Sequence, residues 1–333
     1  MIDDLIKSNE KIKELSKKDL IELLNELNIY LLEYRNNINI PDDITFGIEI
    51  EYEGLQRLFV DSFCEKKLSN WTSKSDGSLI SGGEITSPIL HDKEKNWLEL
   101  QKICSYLNRK QANTSKNAGG HIHIGYEILG EDIEAWKTFL KTYAIYENII
   151  FRFAYGDKIN PRPTLKKYAP PIAEDILYHL PEIEKSRKLS ELPFSIRGNP
   201  KYSAITFKNV PFVKDYYRNK YKQTIEFRLA NSTTSEVIWQ NNINAFTKLL
   251  LSAKNKSIDT ELVDYRIKEK DFYTLKQQYL YEAIDLPKVI EYIDLVFDNN
   301  LDKLYFLRQY IKDWREIFTT SNDYAIKSKN FVK

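Results

Sequence analysis

The chain has 333 residues, enough for one large or two modest domains with a substantial buried core. Hydrophobic residues make up 42% and aromatics 13%, so a folded globular protein is expected. Lys plus Arg (49) nearly balances Asp plus Glu (48), and a net charge of +1 leaves no electrostatic footprint for nucleic acid or an anionic membrane.

Residues 1–15 are charged and amphipathic, unlike the apolar core of a signal peptide. No apolar run approaches the ~20 residues that span a bilayer. Cys64 and Cys104 fit unpaired core residues in a reducing compartment, so the expected location is the cytoplasm. Residues 1–36 read as helical. Ser16 to Asp19 has the pattern of a capping box, after which Leu20, Leu24, Leu27 and Leu31 line one face. Such a helix is expected to dock on its own domain, with a second copy of the chain or a protein partner as the alternative.

The texture changes at Pro41. From Thr45 to Asn231 short alternating segments follow one another: TFGIEIEYEGLQRLFV, GGEITSPI, GHIHIGY, KYSAITFKNV and KQTIEFRLA. Alternation of this kind predicts strands with two chemically distinct faces. Helices are predicted between them at Lys93–Asn108, with Trp97, Leu100, Ile103 and Leu107 at core spacing, and at Asp132–Phe153. Pro161 to Pro171 and Pro193 to Pro200 read as loops or lids. After Thr234 the chain turns helical again, and amphipathic helices continue to its end. Strands without a regular crossover helix predict an α+β fold rather than a doubly wound sheet. The expected division is a helical extension over 1–40, a catalytic domain over 41–256 and a helical region over 257–333.

The chemistry concentrates on four segments. In Gly47-Ile48-Glu49-Ile50-Glu51-Tyr52-Glu53, strand geometry puts Glu49, Glu51 and Glu53 on one face at roughly 7 Å intervals. A solvated acidic face would also explain this spacing, so the other segments decide. Asp76-Gly77-Ser78 and Glu84 in Gly82-Gly83-Glu84 add two acids beside glycines, though Asp-Gly-Ser is also ordinary turn chemistry. Gly119-Gly120-His121-Ile122-His123 places two of the chain's 4 histidines on one strand face, a ligand-like arrangement. His91 and His179 have no such context and read as surface or loop residues. Glu226 and Arg228 share a face of a later strand, where a carboxylate beside a guanidinium suits a metal-bound phosphate or a substrate carboxylate. A plain ion pair is the simpler alternative.

Magnitude separates these readings. Two carboxylates about 4 Å apart repel by roughly 4 kcal/mol at an effective dielectric of about 20. A few such contacts would use up a domain's stability of about 5–15 kcal/mol. If the faces converge, cations must neutralise them. Oxygen ligands in excess over nitrogen favour Mg²⁺ or Mn²⁺, whose shell water and phosphate oxygens complete, and a nucleotide is then the natural guest. No P-loop or dinucleotide fingerprint occurs.

The motifs G-x-E-x-E, D-x-S, G-G-E-x-T-S-P, G-G-H-x-H-x-G and E-F-R, in this order over residues 44–250, resemble the amidoligase family related to glutamine synthetase and glutamate–cysteine ligase. The resemblance implies a curved antiparallel sheet forming a funnel, with ATP entering one side and an acceptor carboxylate the other. It also implies one metal held by Glu51, Asp76 and Glu84, and a second, on the ATP phosphates, held by Glu49, His121 and Glu226. Arg228 would bind the transferring phosphoryl group or the substrate carboxylate, and His123 and Ser78 would line the substrate side. Asp76 stands where the family pattern has a glutamate, and Glu53 has no counterpart. The implied reaction is ATP-dependent amide formation through an acyl phosphate, with Mg²⁺ or Mn²⁺, and Glu84 or Glu53 taking the amine's proton. Arg152, Arg162 and Arg197 are candidates to close over the phosphates, Arg197 being the one expected to touch the nucleotide. Two other readings compete: a metal-dependent hydrolase built on His121 and His123, and a ligase fold that has lost catalysis and serves as a scaffold.

Overall fold

A computed structural model describes residues 1–8, 10–79, 81–114, 117–158, 160–193, 202–211, 223–269 and 284–312. Among them, six strands form one open antiparallel sheet: β1 (Phe46–Glu53), β2 (Thr72–Lys74), β3 (Gly82–Thr86), β4 (Gly119–Gly125), β5 (Ile205–Thr206) and β6 (Thr224–Asn231). Their spatial order is β2-β3-β1-β4-β6-β5, with β2 and β5 at the edges. The helices are α1 (Ile2–Lys7), α2 (Lys17–Ile29), α3 (Arg57–Lys67), α4 (Glu94–Arg109), α5 (Ile133–Ala154), α6 (Leu165–Tyr168), α7 (Ala173–Tyr178), α8 (Leu180–Lys185), α9 (Glu236–Lys254), α10 (Thr260–Lys268), α11 (Leu286–Val296) and α12 (Asn300–Ile311). The fold is α+β, and no helix among the described residues is long and apolar enough to cross a membrane.

Alternation in β1 sorts its side chains. Ile48, Ile50 and Tyr52 enter the core together with Ile85, Ile122, Ile124, Ile225 and Phe227 from neighbouring strands, all buried. Helices close over this face. Phe227 stacks on Phe246 of α9 at 4.4 Å between ring centroids and meets Phe139 of α5 edge-on at 6.4 Å. Phe46 stacks on Trp97 of α4 at 5.1 Å. Offset and edge-on aromatic pairs of this kind each add about 0.5–1.5 kcal/mol beyond the area they bury. The four predicted core positions of α4, Trp97, Leu100, Ile103 and Leu107, are all fully buried. Cys64 and Cys104 are free and buried, as expected of unpaired core residues.

The N-terminal segment is clasped by α11 and α12. Asp294 of α11 accepts from the backbone amides of Ile12 (3.1 Å) and Lys13 (2.8 Å) and pairs with Lys303 at 2.9 Å. Asn300 donates to the carbonyls of Leu5 and Glu10, and Arg35 pairs with Asp302 at 2.8 Å. From there α12 packs on α5, with Phe306 stacked on Phe153 at 4.0 Å. One hydrophobic cluster runs from Ile2 through the sheet to Ile311.

The helical reading of 1–36 holds for α1 and α2 but not beyond Ile29. Ser16 caps α2 by accepting from the Asp19 amide, and its hydroxyl meets the Asp19 carboxylate at 2.6 Å, but the helix stops at Ile29. Beyond it the backbone is drawn off by side chains of other elements. Gln240 takes the Arg35 amide, and Asp92 takes those of Ile38 and Ile40. Leu31, expected on the buried face, is consequently 42% exposed, and Leu23 and Leu27 form the buried stripe. The first alternating segment is strand only to Glu53; Gly54 turns it, and Gln56 to Val60 belong to the start of α3. Among the described residues of KYSAITFKNV, strand is confined to the two residues of β5. Pro161 to Pro171 carries α6, and residues 194–201 lie outside the described residues, as does Arg197.

A candidate metal and active site

Antiparallel register brings the expected ligands face to face. Glu49 of β1 pairs with His121 of β4, Glu51 with Glu84 of β3, and His123 with Glu226 of β6. Directly opposed residues have Cβ atoms about 4.5–5.5 Å apart, so each pair meets over the same face of the sheet. Two clusters result: Glu49, His121 and Glu226, and beside it Glu51, Glu84 and His121. Within each, ligand atoms lie within 4.8 Å of one another, and His121 belongs to both.

His121 Nδ1 is 2.9 Å from Glu49 Oε2, and its Nε2 is 3.4 Å from Glu51 Oε1. A neutral imidazole carries one N–H, so it can donate to only one of these two carboxylates. His123 Nε2 is 3.1 Å from Glu49 Oε1, and its Nδ1 is 3.0 Å from the Thr224 hydroxyl, which fixes the ring. Thr86 donates to Glu84 at 3.0 Å. Arg228 donates to Glu226 Oε1, while Lys208 stands 3.6 Å from Oε2.

Burial and charge pull these groups in different directions. Burial by itself would raise the Glu49 carboxyl, but hydrogen bonds from His121 and His123 hold it well below the usual carboxylate range. Glu226 is likewise lowered, because His123, Arg228 and Lys208 outweigh its burial. Glu84 goes the other way: burial and the neighbouring Glu49 charge raise it. Burial lowers Arg162 to about 10 despite the attraction of Glu51, whereas Glu226 outweighs burial at Arg228 and raises it.

This face is rich in carboxylates: among the described residues Glu49, Glu51, Glu53, Glu84 and Glu226 share it with the cations Arg162, Lys208 and Arg228. Glu226 Oε2 and Arg228 Nε are buried with no hydrogen-bond partner among the described residues. A buried polar atom left in this state costs about 1–3 kcal/mol or more; a divalent ion would relieve the Glu226 oxygen, and a phosphate would accept from the Arg228 N–H. Carboxylate oxygens outnumber nitrogens in both clusters, the donor set that suits Mg²⁺ or Mn²⁺.

The remaining expected residues take other positions. Asp76 joins neither cluster; it lies in the turn between β2 and β3, where it accepts from the amide (2.7 Å) and hydroxyl (2.6 Å) of Ser78, so both act there as turn chemistry. Glu53 stays on the acidic face, buried, and accepts from Asn117 at 3.1 Å. Arg152 is no lid residue: it sits in α5 and donates to the carbonyls of Tyr310 and Ile311 at the end of α12. His91 meets the Asp42 carbonyl and His179 pairs with Glu182, both away from the two clusters.

Thr86, Thr224, Asn117 and Lys208 were not singled out from the sequence. Strand parity relative to Glu84 and Glu226 could have found the two threonines. Lys208 reaches Glu226 from the β5 side, and local sequence carries no sign of it. Beside Glu49 and His123 opens a hollow of about 140 Å³ walled by Pro88 and Ile89, and a second of about 240 Å³ adjoins it at Thr45.

Residues 56–250, more than half of the chain, match the model of a family described as "putative amidoligase enzyme". No curated protein matches the chain at a significant level.

Proposed function

The chain belongs to this amidoligase family, and from that premise we propose that it is an ATP-dependent carboxylate–amine ligase, forming an amide bond through an acyl phosphate. The observation that supports this most is the pair of carboxylate clusters sharing His121 on one buried sheet face. In this reading the sheet is a catalytic sheet of the glutamine synthetase and glutamate–cysteine ligase type. Residues 41–256 are its catalytic unit, and the segments 1–40 and 257–333 flank it. Glu49 and Glu226 would hold one Mg²⁺ or Mn²⁺ and Glu51 and Glu84 a second, with His121, whose neutral ring has a single free lone pair, completing one of the two sites. A divalent cation supplies there the positive charge that offsets phosphate oxygens and the crowded carboxylates.

The side chains account for the rest. The hollow beside Glu49 and His123 takes the nucleotide, with Pro88 and Ile89 as an apolar wall for the base. This moves His123 from the substrate side, where the resemblance puts it, to the nucleotide side. Arg228, whose Nε–H has no hydrogen-bond partner among the described residues, donates to the transferring phosphoryl group. An oxygen of the substrate carboxylate attacks the γ-phosphorus, the bond to the β–γ bridging oxygen breaks, and ADP leaves. The amine nitrogen then attacks the acyl carbon, phosphate departs with the C–O bond, and the amine proton passes to a carboxylate. Glu84 and Glu53, both on the acidic face, are the candidates for that task.

Purified protein with Mg²⁺ and ATP should release ADP when a matching carboxylate and amine are both present, and should stop when the metal is chelated. Glu49→Gln and Glu226→Gln should each lower kcat/KM by about 10²–10³-fold, the cost of removing one group that stabilises transition-state charge. Amide hydrolysis without ATP would point to the hydrolase reading, and failure to bind nucleotide or divalent ion would point to the scaffold.

A further inference from the structure

We propose that Arg162 is the positioning residue of the Glu51–Glu84–His121 cluster: anchored on two carbonyls of strand β6 and facing Glu51 across Gly119, its charge steadies the carboxylate that faces His121 and so sets divalent-cation affinity chiefly at that cluster. The inference rests on reading the two clusters as cation sites.

Arg162 is 4% exposed. Its Nη1 donates to the Ala230 carbonyl, its Nη2 to the Arg228 carbonyl at 3.0 Å, and its backbone amide to Asn231 Oδ1 at 3.1 Å. This stretch of β6 is irregular: Gly120 pairs with Ala230 but Ile122 with Phe227, so an extra residue bulges out of the ladder. A bulge disrupts the local ladder, and a single planar guanidinium takes both nearby carbonyls. A buried arginine also needs an opposite charge, and Glu51 is the anion that chiefly offsets its burial.

Arg162 and Glu51 approach each other over Gly119. A Cβ at Gly119 would stand 3.0 Å from Arg162 Cζ and 3.2 Å from Glu51 Oε2, so both groups occupy the space that any other residue would fill. The Gly119 amide donates to Glu51 Oε2, which leaves Oε1 as the oxygen turned to His121. Glu226, in the other cluster, is held separately by Arg228 and Lys208. Glu51 and Glu226 thus face different cationic side chains, which can be substituted one at a time although the clusters share His121.

Mn²⁺ titration of the full chain without nucleotide, followed by electron paramagnetic resonance or calorimetry, tests this. The unsubstituted protein should bind two Mn²⁺. Arg162→Met should weaken one of the two by about 10–100-fold, the usual effect of removing a group that orients a metal ligand. Arg162→Lys should restore part of that loss, since lysine returns the charge but cannot span two carbonyls. Gly119→Ala keeps the charge and displaces the pair, so it should weaken the same ion, and it carries the test if Arg162→Met fails to fold. Glu226→Gln should weaken the other ion. Wild-type affinity for both ions in Arg162→Met and Gly119→Ala, or equal loss of both, overturns the inference while leaving the ligase reading intact. Absence of Mn²⁺ binding by the unsubstituted chain overturns both.

Discussion

Glu49 and Glu84 are carboxylates of the same sheet, yet one is held ionised and the other is pushed toward its protonated form. The difference lies in what faces them: two imidazoles for Glu49, burial and a neighbouring negative charge for Glu84. The adjacent glycines 119 and 120 show the same dependence on local surroundings. A side chain at Gly119 would intrude between Arg162 and Glu51, whereas a Cβ at Gly120 would meet the Trp239 ring at 2.6 Å on the opposite, apolar face. Gly120→Ala should therefore lower stability by about 1–3 kcal/mol, as overpacking of a core does. Urea denaturation checks this, and Mn²⁺ affinity should be retained, in contrast to Gly119→Ala.

Elements are held as much by distant side chains as by their own propensity. Asp92, just before α4, accepts from the amides of Ile38 and Ile40 and from Trp97 Nε1 at 2.7 Å, pinning the extended segment that enters β1. Charge-assisted hydrogen bonds are worth about 1.5–3 kcal/mol each. Asp92→Ala should accordingly release this segment. Hydrogen exchange at Ile38 and Ile40 should quicken more than tenfold while the amides of β4 stay protected. Unchanged exchange at those two positions would show that the strand entry is held by packing alone.

Across the whole molecule, α5, α10 and α11 meet at one ionic junction: Glu291 accepts from Tyr146 and from Arg266. Partial burial would raise the Glu291 carboxyl, but the Arg266 and Tyr146 hydrogen bonds win and lower it. Its folded-state pKa thus lies below the unfolded value near 4.5, so its contribution is present above that pH and is lost as pH falls through the depressed value. Glu291→Gln should be less stable than the parent at pH near 7, with the gap closing below about pH 4. Chemical denaturation of both proteins at the two pH values measures this.

The strict alternation of Glu49, Glu51 and Glu53, of His121 and His123, and of Glu226 and Arg228 was legible in the sequence, because strand parity is a local property. So were α4, α5 and the Ser16 cap, whose spacing and end residues are written within a few positions of each other. Those signals were sufficient for an α+β chain with an acidic sheet face. Which acid meets which histidine depended on register, and register is fixed only when strands far apart in sequence pair. Asp76 drops out of the clusters because a turn satisfies it locally, and Arg162 enters because a bulge in β6 offers it two carbonyls. The end of α2 at Ile29 likewise meets a residue far along the chain, Arg308, which donates to the carbonyls of Asn28 and Tyr30. The sequence by itself determined which side chains share a face, since that needs only the period of the backbone. The tertiary structure decided their partners, charges and burial, because those arise from contacts between segments that no local pattern encodes.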